Sequence, residues 1–116
     1  MRLLACGGRD YTNRDKTWRC LDAIHRKHGV TLLIEGDANG ADRLAKLWAL
    51  ERGIPLATYP AKWREEGRSA GPRRNARMLL EGRPQAAIAL GGGTGTADMV
   101  RRLREANVPV WEIDRG

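Results

Sequence analysis

The run Gly91-Gly92-Gly93-Thr94-Gly95-Thr96-Ala97-Asp98 places four glycines and two threonines within six residues. The chemistry open to such a run is anion binding. Backbone N–H groups at a helix start have no intrahelical partner and sit at the positive end of the helix dipole, and where no Cβ stands in the way an anion can reach them. Thr94 and Thr96 add hydroxyl donors. An apolar run, Ala86 to Leu90, precedes the turn and a helix-like run, Met99 to Glu105, follows it. Strand, glycine-rich turn and helix in that order make Gly92, Gly93, Thr94, Gly95 and Thr96 the expected cradle for a phosphate-bearing small molecule.

Two further turns have the same character. Gly7-Gly8-Arg9-Asp10 follows the first apolar run, and Glu35-Gly36-Asp37-Ala38-Asn39-Gly40-Ala41-Asp42 follows the second. Arg9 offers a guanidinium fork suited to phosphate or carboxylate. Asp37 or Asp42 could hold a ribose hydroxyl, as acidic residues do in nucleotide folds of this type. Arg74 and Asn75 fall near a helix start and are expected to touch the ligand. Trp63, in a stretch without periodicity, either stacks on a base or caps the core. Trp18, Trp48 and Trp111 are expected in the core or on a surface between subunits. Glu35, Asp37 and Asp98 are the carboxylates available for bond-breaking chemistry. No Ser–His–Asp or Cys–His arrangement is readable. His25 and His28 lack a third partner at ligand spacing, so neither a metal site nor a cofactor is expected.

The elements that must position these residues alternate five times. Leu3–Cys6 reads as a strand. Arg14–His28 reads as a helix, with Trp18, Leu21, Ile24 and His28 at helical spacing and Gly29 ending it. Strands are predicted at Thr31–Glu35, Ile54–Tyr59, Gln85–Leu90 and Val108–Ile113. Helices are predicted over 41–52, from Pro72 to near Gly82, and over 95–107, with Pro72 as the first helical residue. Residues 60–71 read as one exposed loop, of a length that is often functional. Strands alternating with helices predict an α/β, Rossmann-like three-layer fold. It has a parallel sheet of about five strands with helices on both faces, and residues 1–116 form one domain. In such sheets ligands bind beyond the carboxyl ends of the strands, near the point where strand order switches. All three unusual turns belong to that end.

A hydrophobic content of 41% is ordinary for a globular chain, and no apolar run approaches the length of a membrane span. The start, Met1 to Gly8, turns glycine-rich too soon for a signal peptide, so a cytoplasmic protein is expected, with Cys6 and Cys20 as reduced thiols. The net charge is +7, and 17 of the 21 basic residues are arginine. Anionic partners are favoured. The charge is spread along the chain, with no basic arm and no groove-reading motif, so nucleic acid ranks behind a nucleotide-derived small molecule.

Taken together, these motifs resemble the SLOG superfamily, a Rossmann-like group that includes the cytokinin-activating LOG phosphoribohydrolases. The branch most similar is that of the small YspA (cpYpsA-related) proteins. The resemblance rests on Gly7-Gly8-Arg9, Gly36 through Asp42, Pro60-Ala61-Lys62-Trp63, Ala70 through Met78, and Gly91 through Met99. It implies a nucleotide-type pocket and a homodimer or higher homo-oligomer. LOG enzymes cleave the N-glycosidic bond of nucleoside 5′-monophosphates, while other SLOG members only bind nucleotide-derived ligands or nucleic acid. The family's arginine and methionine are kept as Arg74 and Met78, but Asn75 replaces the lysine. In the glycine motif Met99 replaces the glutamate and Gly91 the usual proline. Glycosidic cleavage needs a carboxylate to stabilise positive charge on the ribose or to activate water, and methionine does neither. The expected function is therefore binding of a nucleotide or ADP-ribose-like ligand without robust turnover. The alternative is hydrolysis carried by Arg74 with Asp98, Glu35 or Asp37.

Overall fold

The computed structural model describes residues 1–113. Five strands, β1 (Arg2–Gly7), β2 (Leu32–Glu35), β3 (Leu56–Thr58), β4 (Ala86–Leu90) and β5 (Val110–Ile113), form one sheet in the order β3-β2-β1-β4-β5. Every pairing is parallel. The strands are short and apolar because both faces of the sheet are covered. Helices α1 (Arg14–His28) and α2 (Ala41–Arg52) cover one face. There Leu3, Leu33 and Ile88 meet Leu21, Ala45 and Trp48. Helices α4 (Ala70–Gly82) and α5 (Thr94–Glu105) cover the other, where Leu4, Ile34 and Ala87 meet Met78, Met99 and Leu103. The alternation of Leu3 and Leu4 between two cores is the period-two pattern of a strand buried on both sides. The three-layer α/β expectation holds.

Local signals explain the helix boundaries. Asn13 accepts a hydrogen bond from the Lys16 amide to cap α1, basic residues fill its last turn, and Gly29 ends it in the left-handed conformation. Gly53 ends α2 in the same way. Among the described residues no helix is long and apolar enough to cross a membrane.

Residues 60–71 differ from the single loop expected. They hold a short helix, α3 (Trp63–Glu66), a 3-10 turn at Gly67–Ser69, and the first two residues of α4. Pro72 is thus the third residue of its helix. It is tolerated there because the first four N–H groups of a helix lack intrahelical acceptors anyway. Glu66 anchors this segment, lying 3.6 Å from Arg73 and 3.5 Å from Arg77 of α4. Strand β3 is shorter than expected. Ile54 leaves the predicted strand to donate its amide to Ala49 and pack into the α1–α2 core. Trp48 is a core residue, Trp18 is half-buried against the same core, and Trp111 is 37% exposed. Leu47 and Leu50 stand exposed on α2 and Leu80 on α4.

Candidate functional site

The chain runs outward from β1 to β3 on one side and returns to build β4 and β5 on the other. The switch lies between β1 and β4, whose carboxyl ends are level, with Gly7 paired to Leu90. A cavity of about 560 Å³ opens there. Its floor is Cys6 with Met78 and Met99. Its walls are the turn after β1, the start of α4 and the start of α5. A neighbouring cavity of about 340 Å³ lies beyond the ends of β2 and β3.

The turns after β1 and β2 are locked to each other. The Ala41 amide donates to the Gly8 carbonyl at 3.1 Å, and the Gly8 amide donates to Leu90 at 3.0 Å. A Cβ on Gly7 would stand 2.6 Å from that of Ala41, and one on Gly40 would stand 2.5 Å from the Arg9 carbonyl. Asp42, 5% exposed, closes the second turn: its Oδ2 accepts from the Gly36 amide at 3.2 Å and the Ala38 amide at 3.3 Å. Burial pushes its carboxyl up to about 7, against the opposing pull of those amides and of Arg74. Asp37 adopts a left-handed φ of 58°, which aspartate tolerates better than most residues, and its carboxylate meets Lys46 at 3.2 Å.

The turn after β4 is built differently. Gly92 has φ +118°, and a Cβ there would collide with the Thr96 side chain, so the turn folds tightly over the first turn of α5. Thr94, the first residue of α5, follows Gly93, and among the described residues no side chain caps the helix. The first turn of α5 borders the cavity, as Gly93, Thr94, Gly95 and Thr96 all line it.

Arg74 and Asn75 connect the two halves. The Arg74 Nη1 donates to the Gly36 carbonyl at 2.6 Å, and its Nε donates to the Asn75 Oδ1 at 3.0 Å. Asn75, 3% exposed, donates to the Gly95 carbonyl at 3.2 Å and to Asp98 at 3.0 Å. Burial lowers the Arg74 pKa below that of a free guanidinium. Asp98 also accepts from Arg101 at 2.8 Å and Arg102 at 2.9 Å. Partial burial would raise its pKa, but the bonds from Asn75, Arg102 and Arg101 outweigh that, and the carboxyl is held below its ordinary value.

Twelve of the residues expected at the site line the larger cavity: Gly7, Gly8, Arg9, Asp42, Trp63, Arg74, Asn75, Gly93, Thr94, Gly95, Thr96 and Asp98. Gly36 and Asp37 line the smaller one. Gly92 shapes the turn from behind and is not part of either lining. Glu35 is fully buried and lines neither. Its carboxylate accepts from the Thr58 hydroxyl at 2.7 Å and from the Asp37 amide. Burial raises its pKa, with those two bonds opposing. Trp63 is 48% exposed at the rim, 5.2 Å from the Arg9 guanidinium carbon, so it does not cap the core.

The motifs did not single out Cys6, Arg68, Gly71 and Met78 as lining residues. Arg68 stood in the stretch read as a loop. Cys6 carries a burial signal and nothing more, and Met78 enters only as the methionine that the family motif keeps. Burial pushes the Cys6 thiol up to about 12, so it is no nucleophile at neutral pH. Both cysteines are free. The His25 Nδ1 accepts from the Val30 amide at 2.9 Å, and His28 packs 5.7 Å from the Trp111 ring.

A parallel sheet with a cavity at its switch point and a glycine-rich strand-to-helix turn defines a Rossmann-like α/β protein. The sequence model of the YspA, cpYpsA-related SLOG family (YAcAr) matches residues 1–65, and the chain belongs to that family. The Gene 61 protein of Mycobacterium phage D29 is 32% identical over an alignment of 116 positions, covering 94% of this chain and 93% of that protein. No solved structure matches the chain at a significant level. Membership of a SLOG family suggests nucleotide-related binding or processing.

Proposed function

We propose that this protein binds a nucleotide or ADP-ribose-like ligand through its phosphate at the start of α5, without robust turnover. The observation that carries the reading is the uncapped α5 start opening onto the same cavity as Arg74 and the exposed Trp63. Free amides and a guanidinium suit a phosphate, and an exposed indole at the rim suits a base. The weak link for catalysis is the carboxylate. Met99, in the place of the family glutamate, is 1% exposed in the cavity floor, Glu35 lies outside both linings, and Asp98 is held by three donors.

Asp98 does line the cavity, and this supports a second reading, hydrolysis of the N-glycosidic bond of a nucleoside 5′-monophosphate. Incubating the purified protein with nucleoside monophosphates and ADP-ribose distinguishes the two. Binding at a hundredfold excess over Kd stabilises the fold by about 2.7 kcal/mol, a shift of several degrees in Tm. We expect such a shift for at least one compound, with no free base detected by mass spectrometry. No shift with any compound overturns the binding reading. Free base that disappears in Arg74→Ala replaces it with the hydrolase.

A further inference from the structure

The outer face of α2 carries a pattern that neither cavity uses. Leu47 is 43% and Leu50 59% exposed, three residues apart on one helix, and neither lines a cavity. Leu44, half-buried, lies three residues before Leu47. Leu80 on α4 and Trp111 on β5 stand singly on their elements, as scattered apolar surface residues commonly do. On α2 the three leucines fall within one stripe about 120° wide, turned away from the buried Ala45 and Trp48. Arg43 and Glu51, both exposed, sit four residues to either side of Leu47 and inside the same stripe. Neither makes a hydrogen bond or ion pair among the described residues. They cannot meet within one chain, because eight residues along a helix span about 12 Å.

A stripe with a cation at one end, an anion at the other and leucines between is complementary to itself. We infer that α2 docks against α2 of a second copy of this chain, antiparallel, about a twofold axis through Leu47. Leu47 then meets its own counterpart on the axis, Leu44 meets the partner's Leu50, and Arg43 meets the partner's Glu51. A parallel pairing in register would set Arg43 against Arg43 and Glu51 against Glu51, and like charges facing each other disfavour it. A contact of this isologous kind closes at two copies. The family resemblance implies a homo-oligomer without saying where copies meet; α2 supplies the face, the direction and the residue pairs. The stripe lies outside both cavities, so the inference does not depend on the ligand reading. One helix pair falls at the small end of specific interfaces, under about 1,200 Å² in total, which makes this a weak dimer with Kd on the order of 10 µM.

Sedimentation equilibrium of the full chain from about 5 to 500 µM tests it, and we expect a monomer–dimer equilibrium. Leu47→Glu, at an exposed position, should leave Tm unchanged and weaken dimerisation about tenfold or more, since it sets two carboxylates together on the axis. Arg43→Glu and Glu51→Arg should each weaken it alone, because each sets like charges face to face. The double variant R43E/E51R should recover the dimer. An equal mixture of the two single variants should recover it too, because each chain then supplies the charge that the other lacks. A monomer throughout the range overturns the inference, and so does a dimer that Leu47→Glu leaves intact. A dimer lost in Leu47→Glu but indifferent to all the charge variants overturns the antiparallel pairing.

Discussion

The turns after β1 and β2 and the turn after β4 look alike in sequence, yet glycine is there for opposite reasons. At Gly7 and Gly40 the neighbouring backbone already occupies the space a side chain would need. At Gly93 and Gly95 an added Cβ would meet nothing within 4 Å. The first pair lets two loops touch. The second keeps a helix start open where the fold itself makes no demand. Glycine density therefore marks two kinds of place, and the surroundings tell a packing glycine from a site glycine.

The largest effect should come from the packed side. Gly40 has φ +77° and ψ −125°, a conformation close to glycine-only, and its Cβ would press on the carbonyls of Gly8 and Arg9. Gly40→Ala should cost about 3 kcal/mol or more, or prevent folding, as read by urea denaturation. A loss under about 1 kcal/mol would mean that the two turns are not locked together in solution.

Asp42 sharpens the comparison because it serves the locked turns and also lines the cavity. Its folded pKa is raised from 3.8 to about 7. The folded state then holds a proton that the unfolded chain has released, so this contribution to stability is full below pH 3.8 and is lost as pH rises to about 7. Asp42→Asn keeps an oxygen for the Gly36 and Ala38 amides and removes the titration. The variant should equal the wild type near pH 4 and exceed it at pH 8 by up to about 4 kcal/mol, measured by denaturation across that range. Parallel pH profiles for the two proteins would mean that the Asp42 carboxylate is better solvated than its surroundings imply.

Part of this architecture is legible in the sequence. Element order came from periodicity and glycine stops, because a strand buried on both faces and an amphipathic helix leave plain patterns. The convergence of three turns followed from parallel topology alone. What stayed hidden was side-chain traffic between distant turns. Arg74 reaches the Gly36 carbonyl 38 residues away, and Asn75 ties Gly95 to Asp98. No local spacing encodes those bonds. Residues 60–71 escaped for another reason: a four-residue helix is too short to show a period, and it is fixed by Glu66 against Arg73 and Arg77 of the next helix. Glu35 looked available as the first residue of a turn, but its carboxylate folds back onto Thr58 of the adjacent strand.

The smallest effect on stability and a large one on binding belong together at Gly95. It is the second residue of α5, is exposed, and lines the larger cavity. Alanine is the better helix former by up to about 1 kcal/mol in a helix interior and by less at the first turn. Gly95→Ala should therefore leave Tm unchanged or slightly raised. The new methyl group would project beside the free amides and hold a phosphate away from them, so affinity for the best nucleotide should fall about tenfold or more in calorimetry. Gly40→Ala loses the fold, and Gly95→Ala keeps it while losing the ligand. An unchanged affinity in Gly95→Ala would move the phosphate away from α5, and a large loss of stability would mean that this turn, too, is packed by contacts its open surroundings do not show.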